Sequence, residues 1–235
     1  MDACTHPSKT VDADELISYW AALGDRKVHP HDRDVVGEGH FATELVPVPW
    51  VGPIRTARVY LLFLNPGLSP HDHGYERDNA EFVAALRSNL TGGVPYVYLQ
   101  NRFCDHPGYA WASCTFGDDI REEHTGDMCV IQLVPYHSKE GAVARRAARR
   151  LPSSRIAGAF VRDTLIPRAA HGEIGLIVAR SARLWGFGDA AHDDSGNIVV
   201  YRGAECRRAF QTEKTRGGRL LRRMLGIAAQ QPELT

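Results

Sequence analysis

The sequence predicts an α/β protein of three layers, with a mainly parallel, four-stranded central sheet between helices. Three observations carry that expectation. The apolar runs Val59–Leu64, Met128–Val134 and Gly175–Ala179 are short and uninterrupted, the pattern of strands buried on both faces and so of parallel sheets. Stretches with apolar residues three and four apart lie between them, as crossover helices require. A length of 235 residues can build one core of this kind. Neither an internal repeat nor a linker divides the chain, so a single domain over 1–235 is expected, with 1–11 and 228–235 as loose tails.

Taken in order, Asp12 or Asp14 caps a helix through LISYWAAL, which Gly24 ends. The polar stretch 25–39 reads as loop. Three prolines within 46–53 exclude a central strand there. Val59–Leu64 is the first strand and stops at Asn65-Pro66-Gly67. A helix over Asp78–Leu90 follows, capped by Asp78 and burying Phe82, Val83 and Leu86. Residues 91–127, rich in Gly, Pro and aromatics, show no clear period. Met128–Val134 is the second strand and closes with Pro135-Tyr136-His137-Ser138. Two arginine-bearing helices come next, over 142–150 and 153–166. Gly175–Ala179 is the third strand, Ser181–Trp185 a short helix and Asn197–Tyr201 the fourth strand. The last helix, Thr215–Ile227, buries Leu220, Leu221, Met224 and Leu225 and turns Arg219, Arg222 and Arg223 to solvent.

Composition narrows the function classes. Hydrophobic residues make up 43% and charged residues 24%, an ordinary globular balance. No apolar run approaches the roughly 20 residues that cross a bilayer, and the N-terminus carries no secretory signal. Five cysteines, an odd number without a CxxC, argue against a disulfide framework and for a reducing, cytoplasmic setting. Cys104, His106, Cys114 and His124 match no zinc spacing. No P-loop is present and no glycine fingerprint follows a strand. Neither a metal nor a cofactor is expected. Ser138 beside His137 lacks the G-x-S-x-G elbow of an acyl-transfer nucleophile.

The formal net charge is zero, yet residues 1–138 hold 10 basic and 19 acidic side chains, and residues 139–225 hold 18 basic and 8 acidic. A basic second half on a neutral chain points to a polyanion partner. Open parallel sheets place their sites outside the carboxyl ends of the strands, and here each of those ends carries polar groups. Pro66 keeps Asn65 extended at its strand tip. Gly67 permits a sharp turn and a close ligand approach. The Asn65 side chain offers one acceptor and two donors at a fixed point.

Strand-Asn-Pro-Gly near the start of an α/β domain resembles the first motif of the uracil-DNA glycosylase superfamily, in its Asn-Pro-Gly branch. The text PVPWVGPIRTARVYLLFLNPG and the later PYHS fit the same resemblance. It is specific around 58–70 and 128–138. It implies a glycosylase fold and a monomeric, cofactor-free hydrolase that acts on DNA, most simply double-stranded. Such an enzyme flips a base out and cleaves its N-glycosidic bond, leaving an abasic site. Asn65 and His137 would be catalytic. Pro66, Gly67, Leu68, Tyr75, Gln132, Tyr136 and Ser138 would line the base pocket. Arg180, Phe210, Gln211, Lys214 and Arg216 would hold or wedge the duplex.

Two departures from the family pattern turn the expected substrate from uracil to a modified pyrimidine. The late His-Pro-Ser segment is missing, and no uracil-reading asparagine stands on the second strand. Within the superfamily the chain most resembles antiviral glycosylases that remove glucosylated 5-hydroxymethylcytosine from phage DNA. Segments 71–77 and 101–116, with Tyr109 and Trp111, would line the enlarged pocket. Two other classes fit the same residues: a non-catalytic nucleic-acid-binding module, and a hydrolase of free nucleosides or nucleotides.

Overall fold

The computed structural model describes residues 10–37, 39–188, 196–208 and 211–228. Most of the two expected tails lies outside that set. Five strands form one sheet: β1 (Trp50–Val51), β2 (Val59–Phe63), β3 (Met128–Gln132), β4 (Gly175–Val178) and β5 (Ile198–Val200), in the order β1-β3-β2-β4-β5. The four predicted strands are its parallel body. The fifth, β1, runs antiparallel on the edge beside β3. Its prolines barred it from the middle of the sheet and not from the rim, where fewer ladder bonds are needed.

Nine helices occur among the described residues: α1 (Ala13–Ala21), α2 (Arg33–Val36), α3 (Asp72–Asp78), α4 (Ala80–Asn89), α5 (Pro107–Phe116), α6 (Gly141–Ala148), α7 (Pro152–Phe160), α8 (Ile166–Ala170) and α9 (Arg216–Leu225). A π-turn, Val161–Leu165, joins α7 to α8. Along β2 the side chains alternate between two apolar layers. Tyr60 and Leu62 pack with α1, α6, α7 and α8, while Val59, Leu61 and Phe63 pack with α4, α5 and α9. Helices therefore cover both faces, and every residue of β2 and β3 is buried. None of the described helices is long and apolar enough to cross a membrane.

Several expectations are corrected. The helix expected over 78–90 is α4, capped by Asn79 and not by Asp78, which ends the preceding helix α3. Asn79, with φ −127° and ψ 85°, breaks α3 from α4 and caps α4 by accepting the Phe82 amide at 2.9 Å. Segment 71–77, expected to line the pocket, is largely α3. The region 91–127 contains α5, whose aromatics and glycine hide a period but whose start is well marked. Pro107 stands in its first turn, and the His106 ring accepts the Gly108 amide at 2.8 Å. Polar 25–39 holds the single turn α2. Ser181–Trp185 is a run of turns, entered through Ser181 at φ 60° and left through Gly186 at φ 88°.

Arg222 does not face solvent. It is 6% exposed and its guanidinium donates to Asp119, to the Phe116, Gln211 and Gly218 carbonyls. This side chain pins α9 to the end of α5. Glycine is required at 218, where a Cβ would collide with the Thr212 carbonyl in the turn that leads into α9.

Candidate active site

Strand β2 ends where β3 ends, because Phe63 and Gln132 are register partners. In-register partners point to the same face, and Asn65 follows two residues beyond Phe63. The chain is bound across this tip. Ser138 donates its amide to the Pro66 carbonyl at 3.4 Å. The Asn65 carboxamide nitrogen donates to the Pro66 carbonyl at 2.7 Å and to the Ser138 carbonyl at 3.2 Å. Both of its protons are thereby used. The remaining oxygen, Oδ1, has no partner among the described residues, and the side chain is only half-buried. The result is a fixed hydrogen-bond acceptor at the rim of the sheet.

Next to it lies a buried polar cluster that begins on α3. Asp72 and Glu76 stand one turn apart and are both buried. Asp72 accepts the Ser69 amide at 2.7 Å. Glu76 accepts the Val46 amide with both oxygens and pairs with Lys27 at 3.3 Å. Asp72 lies between two histidines, 3.9 Å from His106 Nε2 and 4.0 Å from His137 Nδ1.

The bonds of the rings assign their protons. His137 Nδ1 sits 2.8 Å from the Gly67 carbonyl and so carries the hydrogen, which leaves Nε2 a bare acceptor, buried and without a partner among the described residues. His106 Nδ1 accepts the Gly108 amide, so its hydrogen is on Nε2, toward Asp72. Burial lowers the pKa of both: for His137 against the opposing pull of the Gly67 carbonyl and Asp72, for His106 to about 4 against that of Asp72. Both rings are neutral at pH 7.

A second orphan acceptor, Gln132 Oε1, is buried on this face. The Phe63 ring meets Trp111 edge-on, 5.4 Å between centroids. At 42% exposure, Trp111 is the exposed large hydrophobic among the described residues. Tyr75 packs edge-on against His106 at 4.7 Å.

The structure thus brings together Asn65, Pro66, Gly67, Tyr75, Gln132, His137 and Ser138, of the residues singled out by sequence. Leu68 follows in the same turn, half-buried. Ser138 acts through its backbone and by accepting the Glu140 amide at 3.1 Å. Tyr136 is excluded from the group. It points to the other face, is 1% exposed, and donates to the buried Asp32 at 2.8 Å. Gln211 is also corrected: it is fully buried, and its carbonyl accepts from Arg222, so it cannot wedge a duplex. Phe210 lies outside the described residues. Arg180 and Lys214 are exposed, and Arg216 is exposed and paired with Glu205 at 3.2 Å. Tyr109 lines a separate cleft with Asn101 and Arg121. Sequence reasoning missed Asp72 and Glu76, and weighed His106 only as a zinc ligand. The four-residue spacing of the two acids would have disclosed a shared face had 71–77 been read as helix.

Gly67 corrects one argument. Its φ is not positive and a Cβ there would meet nothing within 4 Å, so the fold does not need glycine. Gly67→Ala is expected to shift stability by no more than about 0.5 kcal/mol. It is expected to weaken substrate binding or turnover at least tenfold if a ligand approaches this turn, as paired melting and activity assays would show.

Stability should also depend on the buried histidines. In the unfolded chain they take up protons near pH 6.5, whereas the fold holds His106 neutral to about 4. The stability contributed is complete above about pH 6.5 and is lost as pH falls toward 4, on the order of 3 kcal/mol for His106. Urea midpoints of the native protein should fall more steeply over that window than those of His106→Asn; parallel curves would contradict the assignment.

The chain matches no protein-family model, no curated protein and no solved structure.

Proposed function

We propose that the protein is a DNA glycosylase that hydrolyses the N-glycosidic bond of a flipped-out modified pyrimidine, with glucosylated 5-hydroxymethylcytosine of phage DNA as the favoured substrate. The observation that carries this is the Asn65 carboxamide, whose nitrogen is spent on two carbonyls while its oxygen remains open at the rim. Such an oxygen accepts a hydrogen bond from water and fixes it without being a base. N-glycosidic cleavage needs little more: the C1′–N1 bond breaks with its electron pair going to the base, water oxygen bonds to the oxocarbenium-like C1′, and the water proton passes to solvent.

The surroundings support a cytosine-type ring. Gln132 Oε1 and His137 Nε2 are both buried acceptors without partners among the described residues, and an unmatched buried acceptor costs roughly 1–3 kcal/mol. An exocyclic amine supplies the donors that they lack. Trp111 offers an exposed aromatic face for stacking, worth about 1–3 kcal/mol per base. The basic balance of 139–225 suits the phosphate contacts that provide most affinity for DNA.

The test is a panel of duplexes and single strands containing uracil, 5-hydroxymethylcytosine or its glucosylated form, scored as alkali-labile breaks after incubation with the purified protein. Breaks at the glucosylated base support the proposal. Uniformly intact strands reject it, and turnover confined to free nucleosides favours a nucleoside hydrolase.

A further inference from the structure

Two contacts brace the ends of β2 and β3 against each other. The Asn65 carboxamide donates to the Ser138 carbonyl at 3.2 Å, and the ring of the preceding residue, His137, donates from Nδ1 to the Gly67 carbonyl at 2.8 Å. His137 is thus held to the same turn that holds Asn65. Its tautomer is held as well. With the hydrogen spent on Gly67, Nε2 presents a lone pair and no proton, and it is buried without a partner among the described residues. A carboxamide such as that of Gln132 exchanges acceptor for donor by turning over, which this ring cannot do while the Gly67 bond lasts. Asp72 is the carboxylate beside the ring. Its oxygens are divided: Oδ1 is 3.9 Å from His106 Nε2, while Oδ2 is 4.0 Å from His137 Nδ1 and accepts the Ser69 amide at 2.7 Å. Asp72 is buried and pairs with no lysine or arginine among the described residues, whereas Glu76, one turn on, pairs with Lys27.

The titratable groups that face His137 come from two helices. Helix α3 supplies Asp72, Glu76 and His73, the last 3.4 Å from Glu44. The start of α5 supplies His106. Burial disfavours the imidazolium and prevails over the two carboxylates, so the ring rests neutral. The carboxylates still act on it, because a negative charge beside Nδ1–H makes Nε2 a stronger acceptor and supports the imidazolium once a proton arrives. The two states of the ring have opposite preferences. Neutral Nε2 accepts, so it matches the C4 amine of a cytosine-type base and meets the O4 of a uracil-type base lone pair to lone pair. Imidazolium Nε2 donates, so it matches O4 and clashes with the amine.

We propose that His137 Nε2 selects an amine over a keto oxygen at C4 of the flipped-out pyrimidine, and that Asp72 is the positioning residue whose charge stands behind that nitrogen. The inference rests on the function proposed above and adds to it which atom reads the base and why the reading reverses in acid.

The experiment sets two duplexes in competition for the full chain. They differ at one base, glucosylated 5-hydroxymethylcytosine against glucosylated 5-hydroxymethyluracil, which exchanges the C4 amine for a keto oxygen and adds a hydrogen at N3. Base release gives the ratio of kcat/KM, and fluorescence anisotropy on Asn65→Ala gives the ratio of Kd, both from about pH 5.5 to 8.5, which brackets the ordinary histidine range. Effects of pH common to the two duplexes cancel in these ratios. The native protein should favour the amine about tenfold or more at the alkaline end, the worth of one matched hydrogen bond, and should lose that preference as pH falls. Asp72→Asn should displace the loss to lower pH, because the charge that supports the imidazolium is gone. Glu76→Gln should displace it the same way by less, and His137→Ala should show no preference at any pH. A native preference that ignores pH, or none at all because Nε2 pairs with the uracil-type N3–H, overturns the reading by His137. A purely structural role for Asp72 would weaken both duplexes alike. A loss at the native pH in every folded carboxylate variant therefore overturns the part given to Asp72. Selective binding that follows pH with no base released rejects the chemistry at Asn65 and keeps the reading of the base. Equal release of both bases at every pH keeps the chemistry and rejects the reading.

Discussion

Asn65→Ala should lower base release by about a hundred- to a thousandfold while DNA affinity and melting temperature stay near native values. The magnitude follows from what the side chain is asked to do. A positioned water costs little entropy in the transition state, and losing one such positioning contact commonly removes two to three powers of ten. Affinity should persist because the carboxamide carries no charge and phosphate contacts lie elsewhere. Stability should change little because the tip keeps its backbone bond from the Ser138 amide to the Pro66 carbonyl and the side chain is only half-buried. Asn65→Asp is the sharper variant. It keeps a water acceptor but can no longer donate to Pro66 and Ser138, so partial activity would show that the oxygen does the work and the nitrogen only aims it. Kinetics on single turnovers, with anisotropy for binding, check both variants. A parallel loss of binding and release would contradict the role.

Arg222→Ala should cost about 3 kcal/mol, a fall of roughly 6–12 °C in melting temperature for a chain of this size. The variant leaves the Asp119 carboxylate unpaired and removes donors from three buried carbonyls, at 116, 211 and 218. The partly open position of Asp119, 36% exposed, keeps the cost from the top of the range. Arg222→Lys should recover part of it, since an ammonium replaces the charge but not the planar fork. Arg219→Ala, exposed three residues earlier, should shift stability by no more than about 0.5 kcal/mol. Thermal melts compare the three, and equal melting temperatures for Arg222→Ala and Arg219→Ala would contradict the pinning role.

The contrast between Arg222 and Arg219 also marks what a sequence can disclose. Apolar runs such as Val59–Phe63 reveal the parallel sheet because burial on both faces tolerates no polar residue. The Asn65 tip was legible because proline fixes the backbone before it. Arg222 was not, since its four partners lie 4 to 106 residues away in sequence, and a helical period cannot tell a solvated guanidinium from one buried on carbonyls. Tyr136 fails for a related reason: beyond β3 the strict alternation ends, so Leu133, Val134 and Tyr136 all join one layer while His137 turns to the other side, toward Gly67.

The most direct measurement incubates the native protein with duplex DNA containing glucosylated 5-hydroxymethylcytosine in ¹⁸O-water and analyses the products by mass spectrometry. The predicted result is free glucosylated base in equal amount to abasic deoxyribose that carries the heavy oxygen at C1′. Intact modified DNA, bound by the protein but with no base released, would contradict a carboxamide that directs water onto the sugar.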